Sequence, residues 1–217
     1  MRRLAVVALV LTLVVSGAAL AARGDPQKRI NPADQARARS MLVRKSDLGP
    51  AFRAQRASGG DTQLNCPALD ESDLTLTGLA ASPDFSAGLA FVSSEAQVYE
   101  SAGDAALAWQ RDTSAAGIAC LKDTLRREFA KQGLELVGLR KLAFPRVSQK
   151  TAAYRIELSG QAQGIQVRVV LDAILLLRSR AEVLLAIGTA VVVPSRATEV
   201  QLARTVAARM TAAMRGA

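Results

Sequence analysis

The acids Asp70, Glu71 and Asp73 stand close together in this chain, and paired carboxylates are the residue type that works on glycosidic bonds or binds calcium through oxygen. The spacing and glycines of an EF-hand loop are missing around them, so a solvated loop is the plainer expectation. A second set is Arg155, Glu157 and Arg168, which fall on strand-like segments. Period-two alternation puts all three on the less apolar side of a sheet. If helices cover the other side, this face could form a ligand cleft whose arginines suit an anionic group, with plain solvent exposure as the competing reading.

The composition removes most other chemistry. The chain has no histidine, so it lacks the commonest general base and the commonest transition-metal ligand. Neither a Ser-His-Asp triad nor a cysteine–histidine pair can be built. No serine is followed three positions later by lysine, and G-x-S-x-G is missing. G-x-x-x-x-G-K-[ST] and G-x-G-x-x-G, the familiar phosphate cradles, are missing too. No catalytic residue, metal ligand or cofactor is therefore assigned.

The N-terminus reads as an export signal. Arg2 and Arg3 supply the positive start, Leu4 to Val15 the apolar core, and Ala19-Leu20-Ala21 a small-x-small cleavage site before Ala22. An uncleaved anchor would need about 20 consecutive apolar residues. The expected organisation is a signal peptide at 1–21, a flexible tether at 22–30 and one domain at 31–217. Cleavage removes two arginines and no acid, so the formal charge of +9 falls to +7. That balance favours anionic envelope polymers, headgroups or acidic small molecules as partners. Nucleic acid is not expected outside the cell, and no spanning segment is expected after cleavage.

Cys66 and Cys120 both lie in the exported part, where an oxidising compartment makes a disulfide the default; two free thiols or a cysteine nucleophile are the alternatives. A bond between them would close a loop of about 55 residues, worth roughly 4 kcal/mol in the chain-entropy account.

The elements that must position these groups follow from local signals. Asn31 as N-cap and Pro32 at the first helical position start a helix running to about Val43. A short strand is expected around Phe52 to Ala57, ahead of a loop at Ser58-Gly59-Gly60-Asp61. Thr75 to Tyr99 is strand-like, turning at Pro83-Asp84 and Ala87-Gly88. Leu89, Phe91, Ser93, Glu95, Gln97 and Tyr99 share one face there. Ser101 caps a helix to Thr113, and a second helix carries Ile118, Leu121, Leu125 and Phe129 before Gly133. Strands are expected at Leu134 to Leu142, Thr151 to Leu158, Ile165 to Leu177 and Ala181 to Val193, with a turn over Ser159 to Gly164. Pro194-Ser195 opens a last helix with a Leu202, Val206, Met210 stripe. Short connections imply antiparallel pairing. The fold class is thus α+β: a single domain with a twisted antiparallel sheet and helices packed mainly on one face.

The order of these features resembles the extracellular sensor domain of mycobacterial serine/threonine protein kinase H and its secreted or lipoprotein relatives in actinomycetes. The resemblance rests on Asp47-Leu48-Gly49-Pro50-Ala51-Phe52, on Phe91-Val92-Ser93-Ser94-Glu95-Ala96-Gln97-Val98-Tyr99, on Cys120-Leu121, and on the strand, arginine turn and strand of Asp172 to Ala181. It would cover about Ala33 to Ala213. It implies an α+β domain with a cleft for a ligand and no catalytic residues. Two departures stand out: relatives often carry four cysteines in two disulfides, and their Pro-x-Gly-Trp-like turn is here Gly49-Pro50-Ala51-Phe52. The expected function is an exported, non-enzymatic ligand-binding or sensor-like domain, secreted, periplasmic or held in the cell envelope. The alternatives are a carrier of lipid or other hydrophobic envelope molecules and a carboxylate-dependent glycan hydrolase.

Overall fold

The computed structural model describes residues 25–56, 66–162, 165–190 and 193–216. The expected signal peptide and the Ser58 to Asp61 loop lie outside the described residues. Nine strands form one sheet: β1 (Gln27–Lys28), β2 (Arg53–Gln55), β3 (Thr75–Ala81), β4 (Asp84–Ala87), β5 (Ala90–Tyr99), β6 (Leu134–Lys141), β7 (Lys150–Ala162), β8 (Ile165–Arg178) and β9 (Ala181–Ala190). The main order is β1-β3-β5-β9-β8-β7-β6, with β4 beside the start of β5 and β2 beside β4. Every pairing is antiparallel except β1 with β3, which is parallel. Four helices pack on the sheet: α1 (Pro32–Met41), α2 (Ala102–Thr113), α3 (Ala115–Lys131) and α4 (Arg196–Ala213).

The α+β class and the antiparallel meander follow the sequence signals. The helices, however, cover both faces rather than mainly one. α1 and α4 bury Ala38, Met41, Leu202, Ala203, Val206 and Met210 against Val92, Ala96, Ile174, Val183 and Leu185. On the opposite face α2 sets Ala105, Ala108 and Trp109 against Tyr99, Tyr154 and Leu177, while α3 sets Phe129 against Leu134, Ile156, Leu158 and Val169. The physical reason is that β8 and β9 are apolar on both sides, so each side demands a cover.

Three local expectations also change. Gln27–Lys28, expected as tether, forms strand β1, because Gln27 and Arg29 donate to the carbonyls of Leu74 and Leu76 at 2.8 Å and use an otherwise open strand edge. Ser159-Gly160-Gln161, expected as turn, continues β7, pairing with Arg168, Val167 and Gln166. The parallel β1 pair makes the sheet mixed at its edge.

Local chemistry fixes the helices as expected. The Asn31 and Ser101 side chains accept from the amides of Asp34 and Asp104, and Ser114 accepts from Gly117 at the start of α3. Gly78 permits the close approach of α1, since a Cβ there would lie 2.4 Å from the Asp34 carbonyl oxygen. Gly88 takes the left-handed conformation, φ 59°, that the β4–β5 turn requires.

Candidate functional site

The register of β7 and β8 places Arg155 opposite Asp172, and α4 closes over both. Arg155 Nε and Nη2 donate to Asp172 Oδ1 and Oδ2 at 2.7 and 2.5 Å, a two-pronged pair beneath the helix. Burial pushes the Asp172 carboxyl up, but the Arg155 hydrogen bonds outweigh it and hold Asp172 below the usual range. Glu199, in the first turn of α4, lies against Asp172. Burial and that neighbouring carboxylate raise it to about 8, and Arg196 approaches its Oε2 at 3.1 Å. Glu157 and Arg168 share the face with Arg155, as the alternation required, but pair with each other in a more exposed position, with Arg140 Nη2 at 3.6 Å from Glu157 Oε1. Of the three expected cleft residues, Arg155 faces a helix and the other two form an ion pair beyond it.

The acids after Cys66 separate in the same way. Asp70 accepts from the Ser72 amide at 2.9 Å, and Asp73 takes both Nη atoms of Arg111 at 2.6 and 2.8 Å. Glu71 alone turns inward. There it meets two acids that the sequence reading did not single out, Asp112 from α2 and Glu182 from β9. Glu182 is only 6% exposed, and it shares a side-chain hydrogen bond with Asp112. Burial, reinforced by the other two acids, pushes Glu182 well above the carboxylate range. Burial likewise raises Asp112 to about 6 and, with Asp112 beside it, Glu71 to about 7. The Tyr99 hydroxyl lies 2.7 Å from Gln97 Oε1 and 3.2 Å from Glu71 Oε2. The signal for Glu182 was visible as one acid inside the apolar run of β9. Nothing local marked Asp112, whose role depends on how α2 lies across β5 and β9.

The disulfide positions this cluster. Cys66 and Cys120 are joined, with Cα atoms 5.9 Å apart, so the default pairing is the observed one. Cys66 and Leu69 pack with Ala68, Cys120 and Leu121, which fixes the segment carrying Glu71 to α3.

A third feature lies where the β8–β9 turn meets the C-terminal end of α4. Gln149, Arg178, Ser179, Thr211, Met214 and Arg215 line an open groove of about 460 Å³. Ser179 holds the left-handed conformation, φ 53°, and donates its amide to Gln149 Oε1 at 2.8 Å. Among the described residues, neither Arg178 nor Arg215 has an acidic partner. Met214 supplies a buried apolar floor.

No protein-family model matches the chain, and no curated protein matches it. Among solved structures, LpqN of Mycobacterium tuberculosis, described as involved in cell envelope biogenesis, shares 9% identity at a TM-score of 0.29, over 74% of this chain and 78% of its own. A Pseudomonas aeruginosa protein of unknown function shares 15% identity at a TM-score of 0.22, over 61% of this chain and 78% of its own. Neither superposition is close enough to transfer a site or an activity. Among the described residues no helix is long and apolar enough to cross a membrane.

Proposed function

We propose that this chain is an exported, non-enzymatic binding domain of the cell envelope, sensor-like in that it engages a ligand rather than transforming it. The observation that carries the reading is the groove at the β8–β9 turn, where Arg178 and Arg215 stand without acidic partners beside Gln149 and Thr211. Two free guanidiniums over an apolar floor suit a ligand with an anionic head and an apolar portion. The N-terminal signal features, the Cys66–Cys120 bond and the resemblance to the kinase sensor domain all support an extracytoplasmic setting.

The test is a thermal melt of the oxidised mature chain with inorganic phosphate, with citrate, and with vesicles of phosphatidylglycerol or phosphatidylcholine. An anion at about 100 times its dissociation constant stabilises by about 2.7 kcal/mol, a rise of roughly 5–10 °C. The rise should vanish in the Arg178→Ala/Arg215→Ala double variant. A response to free phosphate points to a soluble anion, and a response confined to phosphatidylglycerol points to a headgroup. No response from any probe, or an equal response from the double variant, overturns the reading. N-terminal sequencing of protein recovered outside the cytoplasm should begin at Ala22.

A further inference from the structure

The acids beneath α2 lack a cation of their own. Arg111, the nearest guanidinium, spends both Nη atoms on Asp73. Lys150 Nζ stands 5.9 Å from the centre of the Trp109 ring, its side chain at the rim of the cluster. Lys150, Leu177, Glu182 and Gln97 form one row across β7, β8, β9 and β5, so this rim and the buried acid are only two strands apart. Glu95, Asp73 and Tyr154 are the other titratable groups around the cluster, and none supplies positive charge.

One atom in this arrangement is left over. Glu182 Oε2 is fully buried and has no hydrogen-bond partner among the described residues. The Asp112 hydrogen bond accounts for only one of its two oxygens. Buried carboxylate oxygens are ordinarily satisfied, and an orphan among other acids marks the place of a donor. Among the described residues no group of three or more acids is spaced to hold a metal ion. A directly ligated metal is therefore a poorer match than a wider cation that forms hydrogen bonds.

We propose that Glu71, Asp112 and Glu182 form a binding site for a primary ammonium group, whose three N–H donors match the three carboxyls, with Tyr99 and Trp109 as its aromatic walls. Lys150 carries the same chemical group and stands at the mouth, where it repels a ligand cation. In the empty site protons take the place of the cation: Glu182 donates to Asp112, and a protonated Glu71 can donate to Tyr99, which donates to Gln97. Arrival of an ammonium returns the Glu182 proton to solvent, so binding strengthens as pH rises.

The probe is n-butylamine, which carries no acid and so has no affinity for the arginine groove. Titration calorimetry of the oxidised mature chain at pH 8, in two buffers of different ionisation heat, should give saturable binding with release of about one proton per amine. Glu182→Gln keeps the shape of the protonated acid, so it folds, and it should weaken binding about tenfold or more. Lys150→Ala should tighten binding several-fold. No saturable binding to folded protein overturns the proposal. So does undiminished binding by the Glu182→Gln variant, or weaker binding by Lys150→Ala, which would make Lys150 the cluster's own counter-ion. Calcium chloride binding with the same dependence on Glu182 would replace the ammonium by a metal and equally overturn it.

Discussion

The two faces of the sheet both bury carboxylates under helices, and they neutralise them by opposite means. Beneath α1 and α4, arginine does the work. Asp34 takes Arg180 and Arg37, Asp47 takes both Nη atoms of Arg209 at 2.6 Å, and Asp172 takes Arg155. All three stay below the ordinary carboxylate range; Arg180 is the main cause at Asp34, and at the other two the arginines outweigh burial. Beneath α2, burial acts with no such partner, and Glu71, Asp112 and Glu182 are all raised. Desolvation of a charge costs several kcal/mol wherever it occurs. What differs is whether the compensating charge is built into the chain. The arginine-paired face is closed structure, and the face that relies on protons has room for a partner.

The largest expected effect lies on the paired face. Arg155→Ala leaves Asp172 ionised and alone beneath α4, and should cost about 3–5 kcal/mol in urea unfolding. A loss below 1 kcal/mol would mean that the two faces do not differ as described. Glu182→Gln, the matching change beneath α2, removes a charge that was never paired and should leave stability within about 1 kcal/mol of the parent or above it.

Reduction of Cys66–Cys120 should lower stability by roughly 4 kcal/mol, a fall of about 10 °C in Tm. Hydrogen exchange should rise first in the segment from Cys66 to Glu71 and in α3, leaving α1 and α4 protected. Equal acceleration on both faces would show that the bond holds the whole fold rather than the acid-bearing side.

The faces should also respond oppositely to pH. A raised acid binds more protons in the folded state, so its contribution is greatest below its unfolded pKa and is lost as pH climbs through the folded value. For Glu71 that window runs from about 4.5 to about 7, and for Glu199 to about 8. The lowered acids Asp34, Asp47 and Asp172 contribute fully above their unfolded pKa and lose that contribution as pH falls through their folded values. Together they put maximal Tm near about pH 5, with a decline toward pH 8. Glu71→Gln should flatten the decline between pH 5 and 7, and Glu199→Gln should flatten it up to pH 8. A curve unchanged in both variants contradicts the assignment. The smallest effect belongs to the exposed ion pair: Arg168→Ala should cost under about 1 kcal/mol and vanish in high salt.

The legibility of the sequence followed the range of the forces involved. Asn31, Ser101 and Gly133 act within a few residues, so the caps and helix ends could be read directly. Alternation along β5 and β7 gave the correct faces for Tyr99, Arg155 and Glu157 for the same reason. The covering of both faces depends on which surfaces α2 and α3 meet after the chain turns at Ser101, and no local pattern encodes that. The buried Arg155–Asp172 pair was half visible. Both residues were placed on strands, but their opposition depends on the register of a hairpin whose turn was expected several residues too early. The acid cluster was least legible, because Glu71, Asp112 and Glu182 come from a loop, a helix and a strand separated by long stretches of chain.

Carboxyl-carbon NMR titration, with and without n-butylamine, tests the contrast between the faces most directly. The apparent pKa values of Glu71, Asp112 and Glu182 should fall on adding the amine, while Asp172 and Glu199 stay where they were. Identical titration curves for both clusters in the presence and absence of the amine would contradict the account.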